Sequence, residues 1–482
     1  MSPRRVVVVG GGVTGLAVAY RLLSSGKADA PAVTVLEARS RLGGNIQTER
    51  QGGMVIDGGP DSFVATKPQA TALCKELGLG DRLIGTTVKN RRVYVPRKGV
   101  LHRLPEGLVL TVPTRFLPFA TSRLFSLRGK ARMALDLLVP KRPSDLGDES
   151  IGSFVRRRLG QEALDVLAEP LLGGIYAGDV DKISIRSTFA QLPALERDYG
   201  SLIRGALAER RKKDASPSSG PPPSPFHSLM GGMGELIDRL VAKIEKAGGV
   251  IRTSAPLVAL EKPSAELLAR DPSARFVLRL SGPDGVVETI VAESVVMCAP
   301  ANAAAGALSG FDTTLASLLS GIPYLSTATV IFAFPRVDVP HALDAVGVVI
   351  PKEERRRILA ATFISSKWVG RAPDDVALMR VFVGGFRDPL ALRESDEALI
   401  TLGRQELRSL LGIRQTPLLA RVFRYENANA QPHVGHADKV SRIHEAAKAH
   451  PGLFFAGAAF DGVGIPDCVR QANEAAAAVF AA

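Results

Sequence analysis

The first part of the chain alternates short apolar runs with a segment rich in glycine. Residues 6–9 are all valine, which is typical of a strand buried on both faces, and residues 10–15 contain four glycines. Residues 16–23 then have the apolar spacing of a helix, and a second apolar run at 32–36 ends at Glu37. This order predicts a strand, a helix and a second, parallel strand, with a glycine turn between the first strand and the helix.

The later part of the chain predicts a helical region, a linker and further strands. Residues 88–190 are enriched in Pro, Arg and Leu, which indicates short helices with apolar and basic faces. Residues 214–226 are rich in Pro and Ser, which indicates a linker. An alanine-rich helix is predicted at the end of the chain. The predicted strands are 250–252, 257–260, 276–280, 294–300, 327–334, 346–350, 377–385 and 452–457.

The glycine segment has the spacing of a dinucleotide-binding turn. Gly10, Gly12 and Gly15 form GxGxxG between the first strand and the helix. The first glycine permits a tight turn, the second lets the backbone approach a pyrophosphate, and the third lets helix and strand pack closely. The helix N-terminus favours the negative charge of the pyrophosphate. Glu37 ends the second strand and can accept hydrogen bonds from both ribose hydroxyls, so the segment predicts a dinucleotide site.

The residues after the second strand indicate which dinucleotide is bound. Residues 37–44 read ExxxRxGG, with Arg41 followed by Gly43 and Gly44. This resembles the FAD-binding signature of the amine-oxidase-like flavoproteins, a continuation that NAD dehydrogenases usually lack. The resemblance implies that Arg41 faces phosphate and that the two glycines let the backbone pass close to the cofactor. FAD is therefore the expected cofactor.

Length and pattern together predict several domains. A chain of 482 residues is too long for one ordinary core. We predict an α/β fold of the amine-oxidase-like flavoprotein type: a discontinuous Rossmann-type FAD-binding domain, a mixed α+β substrate domain and a helical insert. The FAD domain is assigned to 1–66, 228–310 and 417–482, the helical lid or membrane-facing domain to 88–190, and the substrate domain to 67–87, 191–227 and 311–416.

Charge and composition narrow the classes of partner. The formal net charge is +13, and basic clusters lie at 156–158, 211–213 and 355–357. None of these clusters is interleaved with aromatic residues, so we expect no nucleic-acid partner, which leaves an anionic membrane surface or an acidic small substrate. No apolar run is long enough for a transmembrane helix, and the N-terminus leaves no room for a signal peptide. The separated cysteines and dispersed histidines predict no metal site, and the protein is expected to be cytoplasmic.

Six segments of the chain occur in an order that resembles one family. They are 10–15, 37–44, 59–63, 174–179, 431–436 and 462–468. Together they are similar to the oxygen-dependent porphyrinogen oxidases of haem synthesis, and most of all to their soluble Gram-positive branch. The resemblance implies FAD-dependent oxidation of coproporphyrinogen III to coproporphyrin III, with O2 as acceptor and H2O2 as by-product. Protoporphyrinogen IX is the alternative substrate, and a flavin amine oxidase or a carotenoid desaturase-like enzyme is a further alternative.

The family resemblance also assigns the cofactor contacts. Two positions depart from the family, since Asn45 stands where relatives often have Lys and Tyr425 where they have Trp. Tyr425 can still stack on the cofactor, and Leu257 is expected to contact adenine through its backbone. No catalytic side chain is expected, because the flavin carries the chemistry. The expected FAD contacts are Gly10, Gly11, Gly12, Val13, Thr14, Gly15, Glu37, Ala38, Arg41, Gly43, Gly44, Asn45, Gly59, Pro60, Asp61, Ser62, Leu257, Tyr425, Gly457, Val463, Gly464 and Ile465.

The substrate contacts are implied in the same way. The main-chain carbonyl of Gly174 would lie near the pyrrole NH groups. Apolar residues would clamp the ring, at Val349, Thr362 and Phe382, although relatives usually have an aliphatic residue at the Thr362 position. Relatives acting on protoporphyrinogen often carry an Arg just after the glycine–proline turn, which this chain lacks. Lys67, slightly further on, is the expected partner of a propionate carboxylate.

The resemblance finally implies partners beyond the porphyrinogen and O2. In some members of the family the helical domain sits on a membrane. We therefore expect a cytoplasmic protein that also makes a peripheral contact with the membrane. Enzymes of the haem pathway are candidate protein partners. The sequence leaves monomer and homodimer open.

Overall fold

The structure is a computed structural model that describes residues 3–24, 30–87, 91–109, 111–143, 146–214, 224–282 and 287–482. The linker predicted at 214–226 falls mostly outside these ranges, because residues 215–223 are not described. In the parts of the chain that are described, two large sheets and a helical region surround the predicted site.

A parallel sheet of five strands forms the first layer. Successive side chains of a strand point to opposite faces, so this sheet separates two apolar cores. Val6 and Val8 face a core shared with the helices Val13–Leu23 and Ile465–Ala481, whereas Val7 faces the core that contains the helix Ala301–Leu308. The valine run is therefore buried on both faces, as predicted. The strand order is Val250–Arg252, Ala32–Leu36, Arg5–Val9, Ser294–Met297 and Leu453–Phe455.

A mixed sheet of seven strands forms the second layer. Val330 and Phe332 point into an apolar core beneath the helix Asp396–Leu411. Thr329 lies on the opposite face, where its hydroxyl donates a hydrogen bond to the carbonyl oxygen of Gly58 (2.7 Å). This face is therefore turned toward the glycine turn of the first layer. The strand order is Leu419–Ala430, Tyr324–Pro335, Val376–Gly384, Ile358–Phe363, Gly347–Val349, Val93–Arg97 and Val100–Arg103.

Smaller sheets and the remaining helices complete these layers. Among the described residues, no helix combines the length and the apolar character needed to cross a membrane. The smaller sheets pair Phe63–Val64 with Phe226–Leu229 and Leu83–Gly85, Leu257–Glu261 with Phe276–Ser281 and Val287–Ala292, Thr48–Gln51 with Met54–Asp57, and Leu108–Val109 with Val112–Pro113. The other helices of these layers are Pro68–Glu76, Gly234–Lys246, Ala265–Arg270, Thr313–Ser320, Ile364–Lys367 and His436–Ala447.

The helical region has its own apolar core. Its segment Leu164–Gly173 is wound in wide π-type turns, which often occur at functional sites, and it contains Pro170. The short helix Gly174–Tyr176 follows it directly, so the predicted substrate residue Gly174 lies at the end of this unusual segment. The other helices here are Phe116–Thr121, Leu127–Ala134, Ile151–Leu159, Gln161–Ala163, Ile185–Thr188, Gln191–Tyr199 and Leu202–Asp214.

The predicted domain boundaries differ from this arrangement in three places. The strands Val93–Arg97 and Val100–Arg103 pair in the seven-stranded sheet rather than in the helical region. The strand Leu419–Ala430, assigned to the FAD domain, pairs in the same sheet. The helices Gln191–Tyr199 and Leu202–Asp214, assigned to the substrate domain, contribute to the helical core. In each case the deciding contacts join segments far apart in the chain, which a local apolar pattern does not specify.

Candidate functional site

The turn between the first strand and the first helix fits only glycine at two positions. A Cβ atom added to Gly15 would lie 1.9 Å from the carbonyl oxygen of Gly10, and one added to Gly10 would lie 2.8 Å from the backbone of Cys298. Gly12 differs, because the nearest atom to an added Cβ is the Cα of Gly44 at 3.9 Å. The protein therefore leaves free space at Gly12, where the predicted pyrophosphate would approach.

Glu37 is buried at the end of the second strand. Its Oε2 accepts a hydrogen bond from the N–H of Gly11 (2.8 Å), and its Oε1 accepts one from the N–H of Arg39 (2.9 Å). Each carboxylate oxygen keeps a further lone pair, so Glu37 can still accept ribose hydroxyls. The N–H of Ala255 donates to the Glu37 carbonyl (2.9 Å), and the strand that begins at Leu257 therefore starts beside Glu37.

Arg41 lies half-buried beside the glycine pair. The structure gives its guanidinium no carboxylate partner within ion-pair distance in the described ranges, and its hydrogen bond to the Leu42 carbonyl is long (3.5 Å). Burial lowers the pKa of Arg41, an effect that a nearby anion would offset. The N–H of Gly43 donates to the carbonyl of Gly11 (2.8 Å), which holds this loop against the first turn. A phosphate group would satisfy the guanidinium.

Tyr425 has a buried hydroxyl with no partner in the described part of the chain. A Cβ added to Gly59 would lie 3.0 Å from this hydroxyl and 1.9 Å from the carbonyl oxygen of Asn45, so the three residues pack closely. Burial raises the pKa of the Tyr425 hydroxyl, which keeps its proton available for donation. An unpaired buried hydroxyl costs roughly 1–3 kcal/mol, so a ligand that accepts from it would be favoured. The side-chain amide of Asn45 donates to the Ala428 carbonyl (3.2 Å).

The C-terminal glycine segment lies against the N-terminal one. A Cβ added to Gly457 would lie 4.0 Å from Thr14 Oγ1, and the N–H of Gly457 donates to Gln471 Oε1 (3.0 Å). Gly464 is the residue before the helix Ile465–Ala481, and Val463 packs against the helical core. The two glycine elements are therefore brought together, as the sequence predicts.

The turn at Gly58 and Gly59 leads into a buried carboxylate. Asp61 accepts hydrogen bonds from Lys367 Nζ (2.9 and 3.1 Å) and from Trp368 Nε1 (3.1 Å). Its Oδ2 also lies 3.2 Å from the guanidinium of Arg380. Burial alone would raise the pKa of Asp61, but Lys367 and Arg380 outweigh it and hold this pKa well below its usual range.

Arg380 links this carboxylate to the glycine turn. Its guanidinium donates to the carbonyl oxygens of Asp57 (3.0 Å) and Gly59 (2.5 Å), and it lies 4.7 Å from the ring centroid of Phe382. Arg371 forms a second buried ion pair with Asp57 (2.9 Å). We call the set Asp57, Asp61, Lys367, Arg371 and Arg380 the buried cluster. It holds three cations against two carboxylates.

Sequence reasoning did not find the cations of the buried cluster. Arg380 is the one charged residue in the otherwise apolar strand Val376–Gly384, and an arginine at such a position needs a buried partner. An arginine within this apolar strand was therefore the feature of the sequence that could have indicated a buried ion pair. The sequence does not reveal the partner itself, because Asp61 lies more than 300 positions earlier in the chain.

The three residues predicted to clamp the ring lie on one face of the seven-stranded sheet. Val349 pairs with Ala360, and Ala360 pairs with Phe382 on its other side. Thr362 lies two residues beyond Ala360 and pairs with Arg380. All three predicted residues are half-buried, as expected for the lining of a cavity. The sheet therefore brings the three predicted residues together, and Thr362 lies opposite Arg380 in the strand register.

Gly174, in the helical region, faces open space. No atom lies within 4 Å of an added Cβ, and its carbonyl accepts a long bond from the N–H of Ala177 (3.3 Å). Val349 and Val463 both pack against the helical core that contains Tyr176. One predicted clamp residue and the C-terminal glycine segment therefore pack on the core whose residue Tyr176 follows Gly174 by two positions. The cavity at Gly174 is lined by Glu169, Pro170, Gly173, Gly174, Ala177, Gly178, Leu359, Phe386 and Arg387.

Lys67 is already paired in this structure. Its ammonium contacts both carboxylate oxygens of Asp467 (2.7 and 2.8 Å), and its side chain is 52% exposed. Burial and, secondly, the charge of Asp467 raise the pKa of Tyr176, which indicates that this ion pair lies near the Gly174 segment. A propionate at Lys67 would have to share the lysine with Asp467.

The space at Gly12, the Tyr425 hydroxyl without a partner and the Arg41 guanidinium without a carboxylate partner among the described residues all fit FAD bound along these loops. Residues 13–480 match the family of flavin containing amine oxidoreductases. Among the solved structures, a candidate protoporphyrinogen oxidase from Exiguobacterium sp. 255-15 is 33% identical, with a TM-score of 0.84 and 99% of each chain covered. Putrescine oxidase, at 16% identity and a TM-score of 0.68, shares the fold.

Curated relatives of nearly the same length are also similar. The coproporphyrinogen III oxidase of Bacillus subtilis is 35% identical over 98% of this chain and 97% of its own length. The enzyme of the same name from Staphylococcus aureus is 32% identical over 99% of both. Protoporphyrinogen oxidase 1 of Arabidopsis thaliana chloroplasts is 30% identical over 98% of this chain and 87% of its own. The chain therefore belongs to the flavin containing amine oxidoreductases and, within them, to the porphyrinogen oxidase family of FAD-dependent enzymes.

Proposed function

We propose that this protein oxidises coproporphyrinogen III to coproporphyrin III, with FAD as cofactor and O2 as acceptor. The observation that carries the proposal is that Val349, from the predicted ring clamp, and Val463, from the C-terminal glycine segment, pack against the helical core whose residue Tyr176 follows Gly174 by two positions. The space over Gly174 is open, since no atom lies within 4 Å of an added Cβ there, and a small cavity lined by Gly174 and Phe386 adjoins it. The similarity to coproporphyrinogen III oxidases over nearly the whole chain supports the same conclusion.

The chain's own residues would bind and orient, and they have no acid–base role in this proposal. FAD accepts two electrons at a time, so three rounds remove the six electrons that separate a porphyrinogen from a porphyrin. Gly12 would admit the pyrophosphate, Glu37 would accept the ribose hydroxyls, and Arg41 would pair with phosphate. The Tyr425 hydroxyl would donate to the cofactor. The carbonyl of Gly174 would accept from a pyrrole N–H.

Protoporphyrinogen IX is the second candidate substrate. It is favoured by the likeness to the chloroplast enzyme and to the Exiguobacterium structure. Coproporphyrinogen III has four propionates instead of two, and a chain with a formal net charge of +13 favours the more anionic substrate. The amine oxidase alternative has only fold-level likeness in its support.

The cofactor site is tested by Gly12→Val. The protein has room for the new side chain, so we expect a folded protein that loses its flavin, because the branched carbons would occupy the pyrophosphate space. Gly306→Val is a matched control, since an added Cβ there meets no atom within 4 Å and Gly306 is exposed in the helix Ala301–Leu308. Flavin absorbance per protein and circular dichroism are the measurements. A full complement of FAD in Gly12→Val would refute this site.

A peripheral membrane contact is also proposed, on residues 116–138 of the helical region. Leu117 (75% exposed), Leu127 (82%) and Leu138 (76%) lie close in the chain to the exposed basic residue Arg128. Exposed apolar side chains with nearby cations are typical of proteins that bind anionic lipid surfaces.

Cosedimentation with phosphatidylglycerol-containing vesicles tests this surface. We expect the wild type to cosediment with the vesicles. The double variant Leu127→Ser with Leu138→Ser should cosediment much less. The control pair Val337→Ser and Leu418→Ser removes exposed apolar side chains from another part of the surface (92% and 64% exposed) and is expected to have no effect. Equal loss in both pairs, or no binding by the wild type, would contradict the proposal.

A further inference from the structure

A basic groove opens next to the Gly174 cavity. The groove is lined by Lys352, Arg355, Arg356, Arg357, Arg387 and Asp388. The cavity shares Arg387 with it. A ring lying over Gly174 would therefore have this groove near its edge, so the charges of the groove bear on which substituents the ring can carry.

Three of the five cations of the groove are already neutralised by the protein. Arg356 pairs with Glu406 (2.7 Å). Arg357 pairs with Asp388 (2.7 Å) and Glu394 (2.5 Å). The carboxylate of Glu169 binds the guanidinium of Arg387 (2.7 Å) and accepts from the backbone N–H of Lys352 (3.1 Å). These ion pairs hold the walls of the groove in place. They do not include the ammonium of Lys352 or the guanidinium of Arg355.

Lys352 and Arg355 have no carboxylate within 4 Å of their charged groups in the ranges that the structure describes. Both side chains are exposed. Arg355 also has a positive φ of 51°, a conformation that costs energy for a residue with a side chain and is more frequent at functional sites. These two cations are therefore available to an anion from outside the protein.

Phe386 connects the groove to the cavity. Its ring is 40% exposed, with Lys352 Nζ 5.5 Å and Lys182 Nζ 5.8 Å from the ring centroid. The nearest carboxylate to Lys182 is that of Asp179 at 3.8 Å, a loose contact. The N–H of Phe386 donates to the carbonyl of Ala177 (2.8 Å), which fixes the aromatic ring next to the Gly174 segment.

We infer that Lys182, Lys352 and Arg355 bind propionate carboxylates of the porphyrinogen at the mouth of the cavity, with Phe386 against the edge of the macrocycle. We call these four residues the mouth groove. This inference rests on the proposed function and extends it to substrate choice. A charged substituent is costly to bury, so propionates of a ring lying over Gly174 are expected to project to an exposed basic edge such as this one. The cations then favour a substrate with more carboxylates.

The double variant Lys352→Ala with Arg355→Ala tests the inference. Arg239→Ala with Lys246→Ala is the matched control, since it removes the same two residue types from the exposed side of the helix Gly234–Lys246. We would measure kcat and KM for coproporphyrinogen III and protoporphyrinogen IX, and the Kd of coproporphyrin III by fluorescence quenching at low and high salt.

We expect the variant to raise KM for coproporphyrinogen III and Kd for coproporphyrin III about threefold to tenfold, with kcat unchanged and a smaller effect on protoporphyrinogen IX. High salt should reduce the difference. Adding Lys182→Ala should increase the effect. A variant equal to the control in both KM and Kd would overturn the mouth groove alone. A wild type that oxidises neither porphyrinogen would overturn the proposed function, and the groove proposal with it.

Discussion

The buried cluster lies next to Thr362 and the mouth groove lies next to the Gly174 segment, and the two sets differ in where their cations find partners. In the buried cluster, Lys367 and Arg380 share the single carboxylate of Asp61, and the side chains of Lys367, Arg380 and Asp61 are only 14%, 4% and 9% exposed. In the mouth groove, Lys352 and Arg355 have no carboxylate of their own within the described residues. Buried charge has to be paired inside the protein, whereas exposed charge can wait for a ligand because water solvates it.

The difference indicates separate roles for the two sets of charges. The buried cluster holds the glycine turn of one layer against the sheet of the other, since Arg380 donates to the carbonyl oxygen of Gly59 and pairs with Asp61. We expect changes there to affect stability and cofactor retention first. Changes in the mouth groove should affect substrate binding and leave stability nearly unchanged.

The largest effect is expected from Asp61→Ala, which would break the buried cluster. It leaves Lys367 and Arg380 buried without their shared carboxylate, so we expect a loss of about 3–5 kcal/mol in the free energy of unfolding. Urea unfolding of the FAD-loaded protein, followed by circular dichroism, measures it. Asp271→Ala removes a partner of Arg5 from an ion pair in which both side chains are in contact with solvent (37% and 25% exposed), and it should cost far less. Equal losses in the two variants would show that the cluster adds nothing beyond a surface ion pair.

The next effect is a pH dependence of stability. The folded-state pKa of Asp61 lies below its unfolded value of about 3.9, so its contribution is present above about pH 4 and is lost as the pH falls toward the folded pKa. Asp57 acts in the opposite direction, because burial raises its pKa. Between about pH 5 and pH 3, the melting temperature of the wild type should fall more than that of Asp61→Asn. Parallel curves for the two proteins would assign the acid sensitivity to other groups.

The smallest effect is expected at Lys67. This residue sharpens the comparison of buried and exposed cations, because its side chain is exposed but already paired with Asp467. Lys67→Ala should raise KM for coproporphyrinogen III less than about fivefold, and less than the mouth-groove variant does. Asp467→Asn should lower KM if Lys67 binds a propionate, because it frees the ammonium. Unchanged KM in both variants would return Lys67 to a structural role beside the helix Pro68–Glu76.

Local features of this chain could be predicted from its sequence because they depend on neighbouring residues. The spacing of Gly10, Gly12 and Gly15 follows from how a strand turns into a helix, and the structure has tight contacts at Gly10 and Gly15 and free space at Gly12. The valine run at 6–9 likewise indicated a strand buried on both faces. The contact between the N-terminal and C-terminal glycine elements was inferred from resemblance, and the approach of Gly457 to Thr14 bears it out.

Long-range pairing could not be predicted in the same way. The strand Val93–Arg97 joins a sheet whose neighbouring strand begins at Gly347, and nothing near residue 93 specifies that partner. Lys367 reaches Asp61 across the interface of two layers, so its role emerges only when the fold is known. The availability of Lys352 and Arg355 is likewise a property of the whole surface, since it depends on where every nearby carboxylate lies.

The most direct test of the central claim is a side-by-side assay of the purified flavoprotein with coproporphyrinogen III and protoporphyrinogen IX, in air and without oxygen. Porphyrin fluorescence and H2O2 would be measured together. The account predicts a higher kcat/KM for coproporphyrinogen III, about three H2O2 per porphyrin, and no sustained turnover without O2 or another acceptor. Porphyrin formation no faster than the uncatalysed rate with both substrates, by protein carrying its full FAD, would contradict it.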